Sequence, residues 1–254
     1  MERLVITSTR LRVQGKQGIL KPDADGYYEM PIGAFNCVNS TDEVYTAKNI
    51  QEIFNSSSEL MRKIQNGKLF GEWGHPEQLP GETANAFMMR ACRVNDKDTC
   101  VFFKDIWLDN NVTPDMQRYG VPSDAIITMA KLKPMGALWE TLQRSLEDPN
   151  VNTTFSGRFL TKDRVYRGKT YVEVVQVVTW DAVTEQGIPA AEKYLAPRLE
   201  SHKTVVTPKM VEELKVQVAN SNLRMESSSP VHSVIATAEK FFNKNAPNRG
   251  YSAW

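Results

Sequence analysis

The stretch from Tyr171 to Val183, YVEVVQVVTWDAV, decides the fold class of this chain. Seven of its thirteen residues are Val or Thr, side chains whose branching at Cβ suits a pleated strand better than a helix. A run this apolar predicts a strand, and it ends in an acid, Asp181. A buried, unpaired carboxylate is costly. Asp181 is therefore read in one of two ways: as an exposed aspartate capping the next turn, or as a carboxylate bound to an imidazole N–H.

Working back from this strand, the alternation predicts further strands over Thr153–Phe159, Ala125–Leu132, Lys68–Trp73, Tyr27–Ile32 and Leu4–Val13. Asn85–Val94 and Thr99–Leu108 read as a hairpin joined at Asn95, Asp96, Lys97 and Asp98, all turn-forming or solvated residues. Helical spacing marks Ala47–Gln65, with Gly67 placed to end it, and Met135–Leu146, where Leu138, Trp139, Leu142 and Leu146 share a face. The expected architecture is α+β, a mainly antiparallel domain over residues 1–183 with flanking helices. A connector over residues 184–206, containing Gly187, Pro189 and Pro197, leads to a helical extension over 207–254. There Thr207 and Pro208 start one helix with Met210, Val211, Leu214 and Val218 on a stripe, and Val231–Asn243 forms a second.

Composition sets the outer limits. With 254 residues, 41% of them hydrophobic, the chain can bury a large core without staples. Cys37, Cys92 and Cys100 are odd in number and far apart, which predicts free buried thiols and not a disulfide or zinc framework. No apolar run is long enough for a signal peptide or a membrane span, so cytoplasmic residence and no membrane partner are expected. A net charge of +1 argues against a nucleic-acid coat. That total hides an asymmetry: residues 201–254 carry seven basic and four acidic residues, a net +3, which leaves −2 for the body.

Three histidines are present, His75, His202 and His232. His75 lies in GEWGHPE, a glycine-flanked loop leaving a strand, where a scaffold presents functional side chains. Glu72 and His75 form Glu-x-x-His, but zinc hydrolysis needs a further ligand at a recognisable spacing. In NTTFSGRF, Ser156 stands beside Gly157 and Arg158. Serine needs a base to become a nucleophile. Gly157 admits a substrate backbone, and Arg158 offers a cation for a carboxylate or a developing oxyanion. His75, Ser156 and Asp181 thus supply base, nucleophile and orienting acid, 81 and 25 residues apart.

In that order the segments LFGEWGHPE, TTFSGRF and VVTWDAV resemble the motifs of the bacteriophage prohead proteases, the serine peptidases that mature tailed-phage capsids. The resemblance spans Leu69–Val183. One departure is that Gly157 and Phe159 flank Arg158 where the family often has a second serine and a glycine. The resemblance implies a β-barrel-like core similar to that of herpesvirus assemblins, a Ser156–His75 pair with Asp181 as third member, and no cofactor or metal. It further implies synthesis as an inactive precursor in the host cytoplasm and action inside the immature capsid. The implied substrates are scaffold or core proteins, the major capsid protein and the chain itself, cut after glutamate. Homo-oligomerisation stays open. Ala190-Ala191-Glu192 in the connector and Arg224-Met225-Glu226 fit such a cut, which would make the extension a propeptide or a scaffold-binding arm. Two other readings are an inactive scaffold protein that keeps the fold, and a metal-dependent hydrolase built on Glu72 and His75.

Overall fold

The computed structural model describes residues 3–11, 20–38, 43–112, 114–118, 121–148, 151, 153–183, 201–220 and 230–244. The chain opens with strands β1 (Arg3–Leu11), β2 (Tyr28–Phe35), β3 (Cys37–Val38) and β4 (Val44–Thr46), followed by helices α1 (Ile50–Ile53) and α2 (Glu59–Gln65). Strand β5 (Phe70–Glu72), helix α3 (Ala84–Ala91), strand β6 (Thr99–Asp109), helix α4 (Pro114–Arg118), strand β7 (Ile126–Pro134) and helix α5 (Trp139–Glu147) come next. A long hairpin, β8 (Thr154–Tyr166) and β9 (Lys169–Val183), precedes β10 (Ser201–Val205), α6 (Pro208–Asn220) and α7 (Pro230–Lys244).

The strands divide into two sheets, β10-β1-β8-β9-β4-β3 and β2-β7-β6-β5. Every named pair is antiparallel except β4 with β9. The expected mixed, mainly antiparallel α+β class is therefore found, but the barrel-like closure is not: the described strands form two separate sheets. They meet where Trp73 bridges to Ala182 and the Gly74 N–H donates to the Ala182 carbonyl at 2.7 Å.

The apolar run of β9 is buried because both its faces are covered. One face joins the main core, where Phe103, Phe159 and Trp180 pack edge-on with Phe155 beside them. Over the other, a second cluster gathers Phe87, Met88, Leu160, Val211, Leu214, Val231, Val234 and Ala238 from α3, β8, α6 and α7. Strand β10, within the stretch read as connector, pairs with β1 through five residue partners, Val5↔Val205 to Thr9↔Ser201.

Two sequence readings need correction. Asn85–Val94 is not the first strand of a hairpin. Asn85 to Cys92 contains no β-branched residue, and the Thr83 hydroxyl accepts the Ala86 N–H as an N-cap, so ANAFMMRA forms α3. The single helix expected over Ala47–Gln65 is two, because Asn55-Ser56-Ser57-Ser58 interrupts it and Ser58 caps α2 through the Met61 N–H. Gly67, at φ 64°, does end the second.

Candidate active site

The hairpin that carries the site turns at Arg167 and Gly168, both at positive φ (49° and 77°), the backbone of a two-residue turn that matches strand twist. Ser156 and Asp181 are direct cross-strand partners in this hairpin. Directly opposed residues project from the same face, as do residues two apart, so Ser156, Arg158 and Asp181 share one face of the sheet. His75 arrives from the other sheet. Gly74, at φ 84°, turns the chain after β5 and ties it to Ala182, which sets His75 over the end of β9.

His75 Nδ1 lies 2.9 Å from Asp181 Oδ2. A carboxylate only accepts, so Nδ1 carries the proton of the neutral ring and Nε2 keeps its lone pair. Nε2 is buried and has no hydrogen-bond partner among the described residues, so no hydrogen bond joins it to the Ser156 hydroxyl in this conformation. Ser156 itself is fully buried. The structure thus joins His75 to Asp181 and sets Ser156 beside Asp181, without a direct Ser156–His75 bond.

Asp181 is the hub. Its Oδ1 accepts the Glu72 N–H at 2.9 Å and Arg158 Nη2 at 2.7 Å, and its Oδ2 also accepts Arg158 Nε at 2.9 Å. Burial works to raise its carboxyl, but the Arg158 charge and the hydrogen bonds from His75 and Arg158 outweigh this and hold it below the usual aspartate range. Glu72 shifts the other way: burial pushes its carboxyl up, Asp181 adds to the rise, and Arg158 and the Asn95 N–H oppose it.

Arg158 does not occupy the role expected for it at an oxyanion. Its guanidinium is fully buried and each of its three nitrogens donates to a protein acceptor. Nη1 reaches the carbonyls of Ala91 and Arg93 at 3.3 and 2.7 Å, and Nη2 also faces Glu72 Oε1 at 3.2 Å. Gly157 sits mid-strand between β1 and β9, and a Cβ there would strike the Phe159 ring, so close packing already calls for glycine. The metal reading of Glu72 and His75 meets a similar obstacle, since the guanidinium beside Glu72 would repel a cation.

Sequence reasoning saw Arg158 as a cation for a substrate and Glu72 as a metal ligand, and missed that they are partners. The serine-x-arginine spacing, which puts both on one strand face, was the available signal. Cysteine is not a competing nucleophile: burial pushes the thiols of Cys37 and Cys92 up to about 12 and that of Cys100 higher still. His232 lies on α7, remote in sequence from these strands.

A carboxylate that fixes one imidazole nitrogen and leaves the other open is general-base machinery of the kind hydrolases use, and comparison with known proteins narrows the class to a peptidase. The family model of the Peptidase S80 family matches residues 6–241, and the chain belongs to that family. It is similar to the capsid maturation protease of Pseudomonas phage phiKZ, with 34% identity over 213 residues, covering 81% of this chain and 76% of that protein. Among solved structures, the bacteriophage T4 capsid assembly protease aligns over 72% of this chain and 99% of its own at 13% identity, with a TM-score of 0.46.

Proposed function

We propose that the chain is a serine endopeptidase of phage head maturation. His75 Nε2 takes the Ser156 proton as Oγ attacks the scissile carbonyl, Asp181 holds the ring in the required tautomer, and water releases the acyl-enzyme. The observation that carries this reading is the 2.9 Å contact of His75 Nδ1 with Asp181, with Nε2 left unpartnered among the described residues on the sheet face that bears Ser156. Arg158 takes no part in stabilising the oxyanion, because its donors are committed.

The similarity to a capsid maturation protease supports scaffold or core proteins and the major capsid protein as substrates, met inside the prohead in the host cytoplasm. Cleavage follows glutamate, and the chain also cuts itself. The candidate self-cleavage points, Glu192 and Glu226, both lie outside the described residues. Residues 207–254 are then the segment whose covalent link to the 1–183 body processing cuts.

Intact-mass analysis of wild type beside Ser156→Ala tests this. Wild type yields fragments ending at or near Glu192 or Glu226 and gains the mass of one fluorophosphonate adduct at Ser156; the alanine variant does neither. Self-truncation that persists in Ser156→Ala sinks the nucleophile assignment.

A further inference from the structure

We propose that Glu72 and Arg158 are positioning residues that set the basicity of His75 through Asp181. The proposal rests on His75 being the base that activates Ser156. Three strands converge to build the support: Glu72 ends β5, Arg158 lies in β8 and Asp181 in β9. Glu72 grips it twice, donating its own N–H to Asp181 Oδ1 at 2.9 Å and setting its carboxylate 3.2 Å from Arg158 Nη2. Its Oε1 is itself held by the Asn95 N–H at 2.6 Å.

Charge counting gives the reason. Two carboxylates and one guanidinium sum to −1 while the imidazole is neutral, and to zero once His75 carries the Ser156 proton. Asp181 and Arg158 are fully buried and Glu72 is 5% exposed, so solvent screens this imbalance poorly. Proton transfer to Nε2 therefore takes the cluster from an uncompensated negative charge to balance, which favours the charged ring in the transition state over the ground state. With Arg158 alone, Asp181 would already be neutralised and would offer the ring little. With Asp181 alone, a bare buried carboxylate would tend to take up a proton itself. Glu72 draws on the same guanidinium and so leaves Asp181 with charge to spend on His75.

Other charged groups also lie near the cluster. Arg90, on α3, lies in the field of both Glu72 and Arg158 but is paired with Glu82 at 2.7 Å. Lys63 pairs with Glu59 at 3.1 Å, Arg93 is a further cation beside the cluster whose carbonyl accepts from Arg158, and burial keeps the thiols of Cys92 and Cys100 neutral. Asp98 accepts from Asn95 Nδ2.

The test is the rate of fluorophosphonate labelling against pH. In that reaction Ser156 Oγ bonds to phosphorus, the proton passes to His75 and fluoride leaves, so base strength is read without a peptide substrate. Glu72→Gln keeps an acceptor for Asn95 and Arg158 but removes the charge. Labelling is expected to slow about tenfold, the effect of one unit of lost basicity, and the acid limb of the profile to move to lower pH. Glu72→Asp keeps both the charge and the backbone N–H to Asp181, and its limb stays at the wild-type position. A wild-type limb in folded Glu72→Gln overturns the proposal, as does a displaced limb in Glu72→Asp, which decides the matter should the glutamine variant not fold. Labelling that survives Ser156→Ala overturns instead the reading of Ser156 as nucleophile, and this proposal with it.

Discussion

Ser156 stands opposite Asp181 because β9 bulges twice. Counted from the turn pair Tyr166↔Lys169, a regular ladder would set Thr179 against Ser156. The register slips between Leu160 and Thr161 and again between Arg158 and Phe159, and each slip gives β9 one extra residue. Two slips advance the acid by two positions while leaving Ser156 and Arg158 on the same face as before. The hairpin thereby delivers a hydroxyl, a guanidinium and a carboxylate to one patch.

Asp181→Asn should cost both rate and stability. If Asp181 orients His75, the amide favours the wrong tautomer, and activity falls by as much as about 10⁴-fold, judged from other triads. The same change leaves buried Arg158 with only Glu72 as an anionic partner, and breaking a buried pair costs about 3–5 kcal/mol. Turnover and denaturant unfolding measured on the same preparation separate the two effects. Full activity in the asparagine variant would remove Asp181 from the mechanism.

The segments carrying His75, Ser156 and Asp181 were legible because each pairs a chemical residue with a strand end or a glycine. The two bulges were not, since nothing in VVQVVTWDAV marks where an extra residue enters the ladder. Nor was the Glu72–Arg158 contact, which depends on β5 meeting β9 across the two sheets. Helix α3 was misread because Asn85–Val94 contains apolar pairs compatible with either period, while its Thr83 cap was overlooked. The run of β9 announced an apolar strand, but only packing shows that both its faces are buried and that α6 and α7 cover the second.

Acid should destabilise the protein chiefly through Asp181. Its folded carboxyl titrates below the unfolded value of about 3.9, so the stability it contributes is fully present above that pH. It is lost as pH falls through the lower folded value. Glu72, raised by burial, works in reverse: acidification from its raised folded value down to about 4.3 relieves a cost and offsets part of the loss. Unfolding free energies taken at several pH values should therefore drop steeply only below about pH 4. Asp181→Asn should flatten that drop, and an unchanged slope in the variant would show that another carboxylate controls it.

Two glycines in the site region should differ in tolerance. A Cβ on Gly71 would land on the Trp180 carbonyl oxygen, which is backbone and cannot move aside, whereas one on Gly157 would meet the tip of the Phe159 ring. Gly157→Ala should cost about 1–3 kcal/mol, as overpacked cores do, and Gly71→Ala distinctly more. Thermal melts of both variants check the order; equal losses would mean that Phe159 is held as rigidly as the backbone.

Cleavage at Glu192 should nick the protein without releasing its C-terminal part. Residues beyond the cut are held by the five β1–β10 partners and by Val206, Val211, Leu214, Val231, Val234 and Ala238 in the second cluster. At about 1.5–3 kcal/mol for each large buried apolar side chain, these contacts rival the roughly 4–15 kcal/mol lost in holding two chains together. Polar contacts add direction, because Ser233 of α7 bonds Glu59 of α2, and Thr237 donates to Gln176 of β9 at 3.0 Å. The nicked species should run as one particle on native size exclusion and separate into two chains in denaturant. If the C-terminal fragment leaves under native conditions, the second cluster is a detachable cover over β9 and not a permanent part of the core.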